Sequence, residues 1–204
     1  MDKGTTLFIK RALDVLISGV GLIAMLPLFF LVGILIKVTM PGPVFFTQRR
    51  VGMGGRVFYI TKFRTMAVNK ELEMEAEEVK VDSSKDKERT TKVGKVLRRL
   101  KVDEIPQLIH VLKGEMSLVG PRPVLERQAS AYDNYQRQRL LVRPGMTGLA
   151  QVSGGTELPW DDRIDLDLHY IRNLSLVLDA KIILRTFVVV ILGERFLLNR
   201  FIDS

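Results

Sequence analysis

Cysteine is absent from the 204 residues. That excludes a disulfide framework, a thiolate nucleophile and a cysteine-ligated zinc site. Histidine is nearly absent, and both copies, His110 and His169, read as ordinary helix residues. Aromatic residues make up only 7% and are not interleaved with the basic ones. With no recognisable nucleic-acid motif either, the surplus of cations that gives a net charge of +8 points away from RNA or DNA. The glycines match neither the Walker nor the dinucleotide-binding spacing, so those phosphate loops are excluded as well. Charge itself is missing from Val15 to Ile36. Those 22 residues, at about 1.5 Å each in a helix, reach about 33 Å, enough for a hydrocarbon core of roughly 30 Å.

The apolar stretch is longer than the usual hydrophobic region of a signal peptide, and no small-x-small cleavage site closes it. It reads as a membrane element. Lys3, Lys10 and Arg11 precede it, while Lys37, Arg49 and Arg50 follow it, so the preference of Lys and Arg for the cytoplasm pulls both ends to one side. Pro27 lies near the middle, where it removes a helical hydrogen bond and crowds the preceding turn. The expectation is a re-entrant helix broken at Leu26–Pro27, forming a membrane segment over 1–40 with a cytoplasmic catalytic region over 41–204.

Beyond the membrane segment, Val44–Gln48 and Val57–Ile60 read as a hairpin turning around Gly52–Gly55. Residues 69–92, with Glu71, Glu73, Glu75, Glu77 and Glu78 in one run, read as a solvated helix-and-loop excursion. Lys95, Arg98, Arg99 and Val102 recur at i, i+3, i+4 and i+7 and make one helical face strongly positive.

Next comes Asp103-Glu104, an adjacent carboxylate pair. Asp103 is expected to cap a helix with Pro106 in its first turn, Ile105, Leu108, Ile109 and Leu112 as its buried stripe and Gly114 as its stop. The pair would then lie at a helix amino terminus, where free N–H groups favour anions. Carboxylates hold divalent metals or attack phosphorus, and guanidinium groups grip phosphate oxygens bidentately, so the pair flanked by Arg98 and Arg122 suits phosphate chemistry. Arg143–Gly155 holds four glycines in thirteen residues and reads as a turn-rich loop able to close over a ligand. Leu174–Leu198 is apolar with Asp179, Lys181, Arg185, Glu194 and Arg195 spaced through it, as in helices lying in a membrane interface. Trp160 and Tyr170 read as interfacial anchors.

Five motifs stand in one order: Lys10-Arg11-x-x-Asp14, Lys-Phe-Arg-Thr-Met at 62–66, Asp-Glu-Ile-Pro-Gln-Leu at 103–108, Leu-Lys-Gly-Glu-Met-Ser-Leu-Val-Gly-Pro-Arg-Pro at 112–123, and Arg-Pro-Gly-Met-Thr-Gly-Leu-Ala-Gln-Val at 143–152. In these the chain resembles the monotopic polyprenyl-phosphate phosphoglycosyl transferases among the bacterial sugar transferases, in their short, catalytic-domain form. The resemblance implies an α+β, mostly helical monotopic domain with a re-entrant helix, a small β-hairpin and amphipathic interfacial helices. By the same resemblance it would sit on the cytoplasmic face of the bacterial inner membrane. The implied reaction moves a sugar 1-phosphate from a UDP-sugar to undecaprenyl phosphate with release of UMP, as the first membrane step of glycan assembly.

By motif, Asp103 would be the covalent nucleophile, Glu104 its partner, and Mg²⁺ would sit at the pair. Arg98, Arg122, Lys62, Arg64, Arg143, Gly145, Thr147, Gln151 and Asp179 are the candidate substrate and phosphate contacts. The partners implied are the UDP-sugar, the lipid phosphate and one membrane leaflet, with a homodimer left open; a non-catalytic membrane-surface scaffold is the alternative. The chain departs from the family pattern at Leu26, at Lys101-Val102 and at Gly155.

Overall fold

The structure, a computed structural model, describes residues 2–66 and 90–192. The acidic part of the 69–92 excursion lies outside them. Among the described residues the fold is mostly helical, with two small two-stranded sheets. Helix α1 spans Lys3–Thr39 and runs unbroken through Leu26 and Pro27. The expected break is thus not an interruption of the helix: proline removes one N–H from a long apolar segment whose other hydrogen bonds persist.

The chain divides into two compact units, one from Met1–Ala24, Thr47–Ile60 and Gln107–Ser204, the other from Met25–Phe46 and Thr61–Pro106. Strands β1 (Phe45–Val51) and β2 (Val57–Phe63) form the expected hairpin, joined by a 3-10 turn at Met53–Gly55, and contribute to both.

In the first unit, the amino-terminal half of α1 is built inside out. Thr6, Lys10, Asp14 and Ser18, spaced four apart on one stripe, are buried, while Leu7, Phe8, Leu16, Ile17 and Val20 are exposed. A water-soluble helix does the reverse. The outer face is therefore suited to hydrocarbon, and α1 is the one helix among the described residues long and apolar enough to cross a membrane.

The same unit holds α3 (Leu108–Lys113), β3 (Ser117–Val119), α4 (Glu126–Ser130), β4 (Gly145–Thr147), α5 (Leu149–Val152), α6 (Trp160–Arg172) and α7 (Leu176–Leu192). Strands β3 and β4 pair in parallel, a sheet the sequence reading did not foresee. Their core joins Val119, Leu149, Val152, Tyr170, Ile182 and Val189. The Arg143–Gly155 stretch is thus core as much as loop: Leu149, Ala150 and Val152 are buried, and it does not read as a lid. Helix α7 buries Ile182 and Val189 and turns Val177, Leu184, Phe187, Val188 and Ile191 outward, in keeping with an interfacial helix.

In the second unit, α2 (Lys92–Arg99) starts at Thr91, whose hydroxyl accepts the Gly94 N–H at 2.9 Å. Val32 and Ile36 on α1 and Met40 just past its end, again four apart, pack with Phe63 and Leu97. Phe63 is also gripped by Phe29 edge-on at 5.1 Å and by Phe45 stacked at 5.3 Å. Burying each such side chain contributes about 1.5–3 kcal/mol, so this cluster is what ties β2 to α2.

Candidate active site

Asp103 lies in a six-residue 3-10 helix, Val102–Gln107, not at the start of the following α-helix. The tighter three-residue turn shifts the facing that a 3.6-residue period predicts. Pro106, Gln107, His110 and Val111 become the buried positions, while Ile109 and Leu112 face out. An element this short also has little macrodipole. The electrostatics of the pair must come from side chains.

They do. Glu104 Oε1 accepts from Lys62 Nζ at 2.6 Å, an ion pair mostly shielded from solvent. Asp103 is buried, and its Oδ1 has no hydrogen-bond partner. Burial pushes the Asp103 carboxyl above the ordinary carboxylate range, the neighbouring Glu104 charge pushes it further, and Lys62, Arg98 and Lys101 pull it back. Two adjacent carboxylates, one with an orphaned buried oxygen, thus stand amid three cations.

Two features aim these groups. Gly94 packs so closely on β2's exit that a Cβ there would stand 1.9 Å from the Thr65 carbonyl oxygen. The Thr65 hydroxyl in turn accepts from Arg98 Nε at 2.8 Å, which fixes the direction of an exposed arginine. Lys101, two residues before Asp103, has φ of 55°, the only positive φ at a non-glycine among the described residues. Such backbone costs on the order of 1 kcal/mol and collects at functional sites.

Of the sequence candidates, this unit brings together Asp103, Glu104, Lys62 and Arg98. Arg64, read as a phosphate contact, is instead buried with its terminal nitrogens on the main chain, donating to the Pro41 carbonyl at 2.6 Å and the Met40 carbonyl at 2.8 Å.

The remaining candidates lie in the other unit. Arg122 is exposed between two buried prolines, directly after β3 and Gly120. Arg143 donates its Nε–H to the Gly114 carbonyl at 2.9 Å. The Thr147 and Thr186 hydroxyls meet at 2.7 Å, and Gln151 Nε2 donates to the Met146 carbonyl at 2.9 Å. Gly145 donates its N–H to the Pro121 carbonyl at 2.8 Å, and a Cβ on it would stand 2.1 Å from the Gly120 nitrogen. The two glycine-rich motifs therefore interlock backbone to backbone, which only glycine permits here.

Asp179, also read as a substrate contact, belongs to a buried polar hub. Lys10 Nζ donates to Asp179 Oδ2 at 2.7 Å and to the Val119 carbonyl at 3.0 Å. The Tyr170 hydroxyl donates to Asp179 Oδ1 at 2.7 Å. Asp14 accepts from the Ser117 hydroxyl at 2.8 Å and the Leu118 N–H at 3.0 Å. Tyr170 is accordingly a core residue, not an interfacial anchor. Trp160 is half-buried beneath the Arg139 and Arg163 guanidiniums, at 5.6 and 5.9 Å from its ring centre.

Sequence reasoning gave Thr65 and Gly94 no role of their own and placed Tyr170 at the membrane interface; the Gly94 spacing from Thr91 carries no signal of a partner nearly thirty residues earlier.

Among the described residues no group of three or more acidic or histidine side chains converges on a metal position. Magnesium is ordinarily held by one or two carboxylates, with substrate phosphates and water completing the octahedron. The Asp103–Glu104 pair, with its unpartnered oxygen, fits that mode.

Comparison with known proteins places these motifs. The family described as bacterial sugar transferase matches residues 5–193. The chain is 42% identical over 195 residues to the exopolysaccharide production protein ExoY of Sinorhizobium fredii, covering 91% of this chain and 86% of that protein. It is 42% identical to an Aeromonas hydrophila UDP-N-acetylgalactosamine-undecaprenyl-phosphate N-acetylgalactosaminephosphotransferase, over 91% of this chain and 44% of that one. It is 40% identical to a Xanthomonas campestris UDP-glucose:undecaprenyl-phosphate glucose-1-phosphate transferase, over 96% and 41%. The chain thus spans less than half the length of those last two relatives.

Proposed function

This chain belongs to the bacterial sugar transferase family, and from that premise we propose that it moves a sugar 1-phosphate from a UDP-sugar to undecaprenyl phosphate. In the first step an Asp103 oxygen attacks the β-phosphorus of the UDP-sugar. The bond from that phosphorus to the α,β-bridging oxygen breaks, and UMP leaves with the electron pair. In the second step an oxygen of the lipid phosphate attacks the same phosphorus, and the Asp103 carboxylate departs. The lipid diphosphosugar is released with Asp103 restored.

The observation that carries the reading is the buried Asp103 carboxylate with a free oxygen, set beside Lys62, Arg98 and Lys101. Mg²⁺ at Asp103 and Glu104 would neutralise charge as phosphate approaches carboxylate. The protein's own groups do the rest. Lys62 holds Glu104 in place, and Arg98, aimed by Thr65, grips a phosphate oxygen. Arg122, framed by two prolines in the other unit, is assigned a phosphate contact on its Gly-Pro-Arg-Pro motif alone.

Helix α1 is read as entering one leaflet and returning on the cytoplasmic face of the inner membrane, with Pro27 as its bend. The basic residues at both of its flanks and its apolar outer face support this.

The test is labelling. Purified protein given Mg²⁺ and a UDP-sugar radiolabelled in the sugar should acquire protein-bound label without any lipid, and Asp103→Asn should acquire none. Equal labelling of the variant would remove Asp103 from the nucleophile's role.

A further inference from the structure

Beside the amino-terminal half of α1 lies a cavity of about 120 Å³, many times the ~10–15 Å³ that one water requires. Its polar wall carries Lys10, Arg11 and Arg143, and its rim carries Leu7, Met53 and Leu141. The polar groups are unequally committed. Lys10 is paired with Asp179, and Asp14 is held by Ser117 and the Leu118 N–H. Arg11 donates to the Val111 and Leu112 carbonyls, at the end of α3. Arg143 spends only its Nε–H, on Gly114, and its two terminal nitrogens have no partner among the described residues. Three cations face two carboxylates, Asp14 and Asp179, so one positive charge in a half-enclosed space lacks a counter-ion. Uncompensated charge in such a setting favours an anion strongly.

The rim settles which kind of anion. Leu141 is 67% exposed and Leu7 50%. Together with Met53 they leave an apolar lip beside a helix whose outer face is apolar, where a soluble anion gains nothing but a hydrocarbon tail does.

We propose that this cavity binds the phosphate monoester end of a membrane lipid, with the phosphate on Arg143 and the first carbons of the tail against Leu141, Leu7 and Met53. The choice of an isoprenyl tail rests on the reaction proposed above. Acceptor-free exchange of labelled UMP into UDP-sugar needs no lipid and tests that reaction separately, whereas direct binding tests the cavity.

The experiment titrates the full chain in detergent micelles with farnesyl phosphate, dioleoyl phosphatidic acid and inorganic phosphate, read by native mass spectrometry. Two variants at an exposed position leave folding intact and lose the same apolar surface: Leu141→Asp and Leu141→Lys. Farnesyl phosphate should bind at least tenfold more tightly than inorganic phosphate. Leu141→Asp should weaken it at least tenfold relative to Leu141→Lys, and Arg143→Gln should weaken it likewise. Phosphatidic acid binding as tightly as farnesyl phosphate would assign the cavity to a bilayer phospholipid; much weaker binding would assign it to the isoprenyl acceptor. Identical affinities for the two Leu141 variants, or inorganic phosphate binding as tightly as the lipid, would overturn the proposal.

Discussion

Substituting Gly94 by alanine tests whether α2 is truly seated against Thr65 and whether that seat matters for chemistry. The added Cβ would stand 1.9 Å from the Thr65 carbonyl oxygen, 2.7 Å from its carbon and 2.9 Å from its Cα. All three are backbone atoms that cannot swing aside. Reaching an ordinary contact of 3.4 Å requires α2 and β2's exit to separate by as much as 1.5 Å at this point. The Arg98 Nε to Thr65 Oγ1 bond, at 2.8 Å, does not survive such a shift. Overpacking of this kind costs about 1–3 kcal/mol. Alanine returns up to about 1 kcal/mol through its better helix propensity. The net loss should fall between about 0 and 3 kcal/mol, visible as a lowered melting temperature in detergent.

The functional loss should be larger than the stability loss, because about 1 Å of misplacement in a positioned group can cost on the order of 100-fold in rate. Acceptor-free UMP exchange in Gly94→Ala should therefore fall 10- to 100-fold and should resemble that of Arg98→Gln. Wild-type melting and wild-type exchange in Gly94→Ala would refute the account of how Arg98 is aimed.

Two further outcomes follow from the ion pairs. Lys62 is the strongest influence holding the Asp103 carboxyl down, so Lys62→Met should raise that group further and cost it its anionic form at higher pH. The acid limb of the exchange reaction, measured at fixed Mg²⁺, should move to higher pH, and an unmoved or lowered limb would contradict the assignment. Lys10 and Asp179 are each about one-tenth exposed, so removing one strands the other. Lys10→Met alone should cost about 3 kcal/mol, less what Tyr170 salvages, whereas Lys10→Met with Asp179→Leu should recover part of that loss; strictly additive melting shifts would show the pair to be uncoupled.

Much of the candidate site was legible in the chain because its charged groups are local in sequence. Asp103 and Glu104 are adjacent, Arg98 is five residues earlier, and a charge-free run of 22 residues is a membrane signal by length alone. The hairpin was legible too, since alternation and a glycine-rich turn are short-range patterns. The facing of residues 105–112 was not, because Pro106 sits in a 3-10 turn and three residues per turn carry the side chains off the stripe that an α-helix would bury.

Arg64 and Asp179 mark the other boundary. Each is a charged residue in a family-like motif, and sequence offers no way to tell a ligand from a brace. Arg64 became a brace because the Met40 and Pro41 carbonyls end a helix twenty-odd residues earlier and need donors. Asp179 became one because Lys10 meets it across 169 positions.

What the chain determined alone was the adjacent carboxylate pair, the cations beside it and the apolar helix, all set by neighbours within a few residues. Only the tertiary structure decided that Lys10 and Asp14 turn inward on a helix that is otherwise apolar, that Gly94 seats on Thr65, and that glycines 120 and 145 interlock. Each depends on groups brought together from distant positions, where burial makes an unpaired charge or a misplaced methyl costly enough to choose one arrangement.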